Sequence, residues 1–115
     1  MSDATTTTGT EAELRWTAVG KTSEWADGKG RMVMVGARRI AVFRTGERFR
    51  ALKDACPHAG VSLSCGYLHA DEVVCPAHAW AFHLDDGRCT IGPSSVKAVG
   101  YPVRVSGDTV EVGVP

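Results

Sequence analysis

The sequence predicts an all-β protein, an antiparallel β-sandwich or barrel with one segment inserted between its early and late strands. Three observations carry this. Short β-branched or aromatic runs bounded by Gly recur along the chain, and such runs read as strands. None of them extends into the 3.6-residue apolar period of a helix, and strands joined by short turns without helices pack as sandwiches or barrels. The middle of the chain departs from the pattern, with two compact Cys/His motifs where a plain β-meander would have turns.

The elements follow in order. Met1 to about Glu11 is Thr-rich with few apolar groups, so residues 1–12 are expected to form a flexible tail ahead of a single domain over 13–115. Leu14–Val19 alternates apolar and polar residues, as a half-buried strand does. Gly20–Gly30 reads as a loop whose Trp25 caps the edge of the core, with a partner contact as the lesser reading. Arg31–Val35 and Arg38–Arg44 are strands around Gly36-Ala37, and Arg48–Leu52 follows the turn Thr45-Gly46-Glu47. Arg38, Arg39, Arg44, Arg48 and Arg50 alternate with Ile40, Val42, Phe43 and Phe49, which predicts a solvated sheet face. A docking face for an acidic redox partner is the other reading. The inserted part spans about 53–95, with Asp71–Val74 a strand into Cys75 and Ala79–Leu84 a strand out of the second motif. Asp85-Asp86-Gly87 is a turn, and Gly92-Pro93-Ser94-Ser95 a loop. Val99–Val105 and Thr109–Val112 close the fold as a hairpin through Ser106-Gly107-Asp108.

The whole chain sets limits on partners. With 115 residues and no repeat, one domain is expected. Thirteen basic and thirteen acidic residues give a formal net charge of zero, which argues against nucleic acid or an anionic membrane surface as partner. No apolar run approaches the roughly 20 residues of a membrane span. The N-terminus lacks the charged and apolar regions of a secretory signal, so a cytoplasmic location is expected.

The chemistry sits in Cys56-Pro57-His58 and Cys75-Pro76-Ala77-His78, with sixteen residues between His58 and Cys75. Two thiols and two imidazoles suit either a structural Cys2His2 zinc or a two-iron, two-sulfur cluster in which His replaces Cys on one iron. A zinc finger usually places its two Cys first and its two His later, whereas here each motif supplies one of each. This resembles the Rieske family, whose pattern is Cys-x-His followed by Cys-x-x-His. The flanks agree: Ala59-Gly60 and Leu63-Ser64-Cys65-Gly66 after the first motif, Ala79-Trp80, Phe82 and Asp86-Gly87-Arg88-Cys89 after the second. The resemblance covers roughly residues 14–114 and implies the Rieske iron-sulfur fold with an inserted cluster-binding subdomain. It also implies one [2Fe-2S] cluster per chain, with Cys56 and Cys75 on one iron and His58 and His78 on the other. The extra disulfide of respiratory Rieske proteins would fall at Val61 and Ala77, so the chain looks like the soluble ferredoxin-like branch. Cys65 and Cys89 are read as ordinary small buried or half-buried residues, and a bridge between them is unlike a reducing compartment.

On the resemblance, the oxidised centre has no net charge, because two ferric ions offset two sulfides and two thiolates. An all-Cys cluster carries two more negative charges, which is why Rieske centres reach roughly −150 to +300 mV against about −400 mV for plant-type ferredoxins. High-potential relatives have a Ser hydroxyl two residues, and a Tyr hydroxyl four residues, after the second His. Trp80 and Phe82 stand there and donate neither bond, which predicts a potential at the low end of the range. Pro57 and Pro76 stiffen the loops. Ala79 replaces a family Gly and is costly if that position needs a positive φ. His69 and His83 are read as surface or hydrogen-bonded residues. Val61, Leu63, Trp80 and Pro93 are expected to ring the cluster tip.

No catalytic triad, paired acids or phosphate loop appears. The expected function is a one-electron carrier between a flavin-containing NAD(P)H reductase and a terminal oxygenase of the aromatic ring-hydroxylating kind. A small subunit of an assimilatory NAD(P)H nitrite reductase is the second reading, suggested by Ile40–Arg44 and Asp86–Cys89. A zinc-holding structural module is the third.

Overall fold

A computed structural model describes residues 14–57, 60–77 and 79–115. The expected tail, His58, Ala59 and His78 lie outside the described residues. Among the described residues, eleven strands form three antiparallel sheets: β1 (Arg15–Lys21), β2 (Lys29–Val35), β3 (Arg38–Thr45), β4 (Arg48–Lys53), β5 (Tyr67–His69), β6 (Glu72–Val74), β7 (Ala81–His83), β8 (Cys89–Ile91), β9 (Gly100–Tyr101), β10 (Val103–Ser106) and β11 (Thr109–Val114). The orders are β1-β11-β10, β2-β3-β4-β9 and β5-β6-β7-β8. Among the described residues there is no α-helix, only 3-10 turns at Thr22–Glu24 and Leu63–Cys65, and no helix long and apolar enough to cross a membrane.

The sheet β2-β3-β4-β9 is the middle layer. Its β3 runs Ile40-Ala41-Val42-Phe43 without a polar break, and all four are buried. A strand covered on one face alternates; a strand covered on both does not. Side chains on successive residues point to opposite faces, and here they enter two different cores. Ile40 and Val42, with Ala51 of β4, join Trp25, Val110, Val112 and Val114. Ala41 and Phe43, with Leu52 of β4, join Cys56, Leu63, Val73, Cys75, Phe82 and Leu84. The second core therefore holds the β5–β8 sheet, and both motif cysteines, against the middle layer.

Several local expectations change. Trp25 does not cap an edge. It is buried, its Nε1–H donates to the Val42 carbonyl at 3.0 Å, and Phe49 meets its ring edge-on. The expected strand Val99–Val105 breaks at Pro102, which has no amide to give to a ladder. Before the break β9 pairs with β4, and after it β10 pairs with β11, so Pro102 is where the chain changes sheets. The short strands β5 and β8 add to those that the sequence predicts. The arginine row is not a uniformly solvated face either. Arg48, Arg50 and Leu52 share the face of β4 that meets the inserted sheet. Arg50 is 8% exposed and donates to Asp71 at 2.8 Å and Asp85 at 2.7 Å, while Arg44 caps the Thr22 and Trp25 carbonyls.

Candidate metal centre

Two loops carry the motifs, and they close in the same way. The Cys56 amide donates to the Val61 carbonyl at 2.7 Å, and the Gly60 amide returns to the Cys56 carbonyl at 2.7 Å. In the second loop the Cys75 amide donates to the Trp80 carbonyl at 2.7 Å, and the Ala79 amide returns to the Cys75 carbonyl at 3.1 Å. Each loop therefore spans the same number of residues, starts on Cys-Pro, and needs its fifth residue in the left-handed region: φ is 70° at Gly60 and 62° at Ala79. The conditional expectation for Ala79 is met, and this residue holds a conformation that L-residues adopt at a cost.

Burial divides each loop. Cys56 and Cys75 are each 1% exposed and belong to one core, flanked by the half-buried Val61, Trp80 and Cys89. Pro57, Gly60, Pro76, Ala77 and Ala79 are exposed. Thiols thus lie at the loop bases, and these described residues beyond them face solvent. Among the described residues no three His, Cys, Asp or Glu side chains gather for a metal, so the described part of the predicted ligand set is the cysteine pair. Two buried thiols at the bases of like-shaped loops are the soft donors that a [2Fe-2S] iron takes.

The surroundings refine the reading. Leu63 is fully buried and cannot belong to an exposed ring around the tip, whereas Val61 and Trp80 are half-buried and Pro93 is exposed. Phe82 is fully buried in the same core as both cysteines and brings no hydroxyl. Gly92, at φ 128°, lies so close to Trp80 and Cys89 that an added Cβ would come 3.0 Å from the indole and 2.9 Å from Sγ. Cys65 is exposed rather than buried, Cys89 is half-buried, and both are thiols. Burial raises the Cys89 thiol pKa, although its bond with the Ile91 carbonyl (3.3 Å) acts the other way. His69 is exposed, and His83 Nδ1 accepts the Asp85 amide at 3.1 Å, the surface and hydrogen-bonded settings expected of them. The residue that sequence reasoning missed is Asp54, buried beside the first loop.

Residues 15–105 match the family described as Rieske [2Fe-2S] domain. The 3-phenylpropionate/cinnamic acid dioxygenase ferredoxin subunit of Shigella boydii serotype 4 (strain Sb227) is 39% identical over 77 residues, 66% of this chain and 73% of the relative. Among solved structures, a chain of the complex of reduced oxygenase and oxidized ferredoxin in carbazole 1,9a-dioxygenase is similar. Its TM-score is 0.78 at 37% identity, over 84% of this chain and 91% of that one. A chain from Mycobacterium tuberculosis, assigned as the small subunit of an NADH-dependent nitrite reductase, has a TM-score of 0.83 at 25% identity, over 89% and 96%.

Proposed function

The chain belongs to the Rieske [2Fe-2S] domain family, and on that footing we propose that it is a one-electron carrier of the ferredoxin kind, whose cluster is held by Cys56, His58, Cys75 and His78. The observation that carries this is the pair of like-shaped loops with both thiols buried in one core and Pro57, Gly60, Pro76, Ala77 and Ala79 beside them exposed. Electron transfer needs a centre that is shielded yet close to the surface, and this arrangement supplies both. The cluster would supply a single electron acceptor; the chain's own residues hold it and present it. No further chemistry is assigned to side chains, so the chain serves as a component of a multicomponent oxidoreductase.

The partners proposed are a flavin-dependent NAD(P)H reductase as donor and a terminal oxygenase of the aromatic ring-hydroxylating type as acceptor. The likeness to a dioxygenase ferredoxin subunit and to a chain of an oxygenase–ferredoxin complex supports this. The likeness to a nitrite reductase small subunit favours a second reading. A stable stoichiometric complex with a large haem enzyme would support that one, and a transient complex with an oxygenase the first. A cytoplasmic site is proposed for both.

The test is spectroscopic. The purified chain should be red-brown, contain iron and sulfide, and titrate at the low end of the Rieske range, because Trp80 and Phe82 offer the cluster no hydroxyl. A potential well above zero would contradict the low-potential assignment. A colourless protein holding zinc would replace the carrier by a structural module. His58→Cys should lower the potential strongly, since a thiolate adds negative charge where an imidazole adds none. An unchanged potential in that variant would remove His58 from the ligand set.

A further inference from the structure

Asp54 is a buried carboxyl group that no part of this reading uses. It is 3% exposed, stands two residues before Cys56, and among the described residues forms no ion pair. Its partners are neutral. The Ser62 hydroxyl donates to Oδ2 at 2.6 Å, the Ser64 amide to Oδ1 at 2.7 Å, and the Ser64 hydroxyl faces Oδ2 at 3.1 Å. The two serine oxygens are 2.9 Å apart. Each hydroxyl has one proton to give, so Ser64 shares its proton between Ser62 and the carboxylate.

The two loops differ at their bases in a way that explains the clamp. The second loop grows out of a strand ladder, where Val74 pairs with Ala81 directly below it. Two residues before Cys75 stands Val73, which is apolar and fully buried. The first loop has no such ladder, because β4 ends at Lys53 and the returning chain enters a 3-10 turn at Leu63. Asp54 ties the outgoing and returning chains together by side-chain bonds instead. A neutral amide of the same shape could still accept from the Ser64 amide at its oxygen and would donate to a serine hydroxyl oxygen with its NH2, so closing the loop does not by itself require a charge. Burying an unpaired charge costs stability, and in a poorly polarisable interior that charge acts strongly on neighbouring centres.

We propose that Asp54 is a positioning residue for the Cys56 loop, and that its negative charge lowers the reduction potential of the cluster bound there; this rests on the ligand assignment above. Adding an electron to an uncharged centre makes it negative, and a fixed negative charge nearby opposes that step. The serine hydroxyls partly offset the charge, so their removal should act in the opposite direction to removal of the charge itself.

Redox titration of the cluster-loaded chain, followed by visible absorption and by electron paramagnetic resonance, tests both arms. Asp54→Asn should raise the potential relative to the parent. Ser62→Ala, which keeps the charge and removes a donor, should lower it. A role limited to loop shape gives no reason for opposite signs. Either variant moving against its sign, or not moving, overturns the proposal while the cluster assignment stands. Should Asp54→Asn take up no cluster, Ser62→Ala decides alone: a lower potential supports the proposal, and an equal or higher one overturns it. A parent chain that takes up no iron and sulfide overturns the cluster assignment and this proposal together.

Discussion

Ala79 and Gly60 occupy matching places in the two loops, and only one of them suits its backbone. At φ 62° a Cβ crowds the chain, at a cost of roughly 1–2 kcal/mol, while glycine's greater freedom when unfolded returns about 0.4–1 kcal/mol of that difference. Ala79→Gly should therefore stabilise the protein by about 0.5–1 kcal/mol. Denaturant unfolding of the parent and the variant measures it, and an unchanged or lower midpoint would mean that the Ala79 methyl makes contacts worth its strain. The cysteines could be singled out from sequence because metal-ligand spacing is a local property, and Ala79 because the family that the chain resembles has Gly at that place. Asp54 could not, since an Asp before a loop is usually solvated and only its burial against Ser62 and Ser64 sets it apart.

Arg50 decides how the inserted sheet is held at the level of elements. It leaves β4 on the face shared with Leu52 and reaches Asp71 before β6 and Asp85 after β7, with Arg48 adding a bond to Asp85 at 3.1 Å. Burial opposes the guanidinium charge, but hydrogen bonds with the two carboxylates outweigh it and hold its pKa above the usual value. Charge-assisted bonds of this kind contribute roughly 1.5–3 kcal/mol each, and half-exposed carboxylates recover part of that by resolvation. Arg50→Ala should destabilise the fold by about 1–3 kcal/mol, and should increase amide hydrogen exchange in β6 and β7 more than in β11. Equal exchange changes in all three strands would argue that Arg50 supports the fold as a whole and not the docking of the inserted sheet. Sequence alternation could place Arg50 on a face of β4, yet not say that this face is covered by residues more than twenty positions away.

The same clamp makes a prediction for the whole molecule. Hydrogen bonds from Arg50 hold the Asp71 and Asp85 carboxyls below the usual carboxylate range. A lowered folded pKa contributes stability that is fully present above the unfolded value, near 3.9, and is lost as pH falls through the folded values. Stability should thus drop on acidification below about pH 4. In Arg50→Ala this component should be absent, so that the gap between variant and parent narrows at low pH. Unfolding midpoints measured from pH 7 down to pH 2 check it, and a constant gap would exclude the two aspartates as its source. Much of the architecture was readable beforehand for a physical reason: strand periodicity, glycine turns and the two Cys/His motifs are short-range patterns, and they sufficed for an all-β chain with an inserted cluster-binding part. What only the tertiary structure decided is how the layers share their surfaces. The uninterrupted apolar run of β3 divides between two cores, Pro102 passes the chain from one sheet to another, and Asp54 and Arg50 become buried clamps. Each of these depends on which distant strand lies opposite, and that is settled by packing rather than by neighbours along the chain.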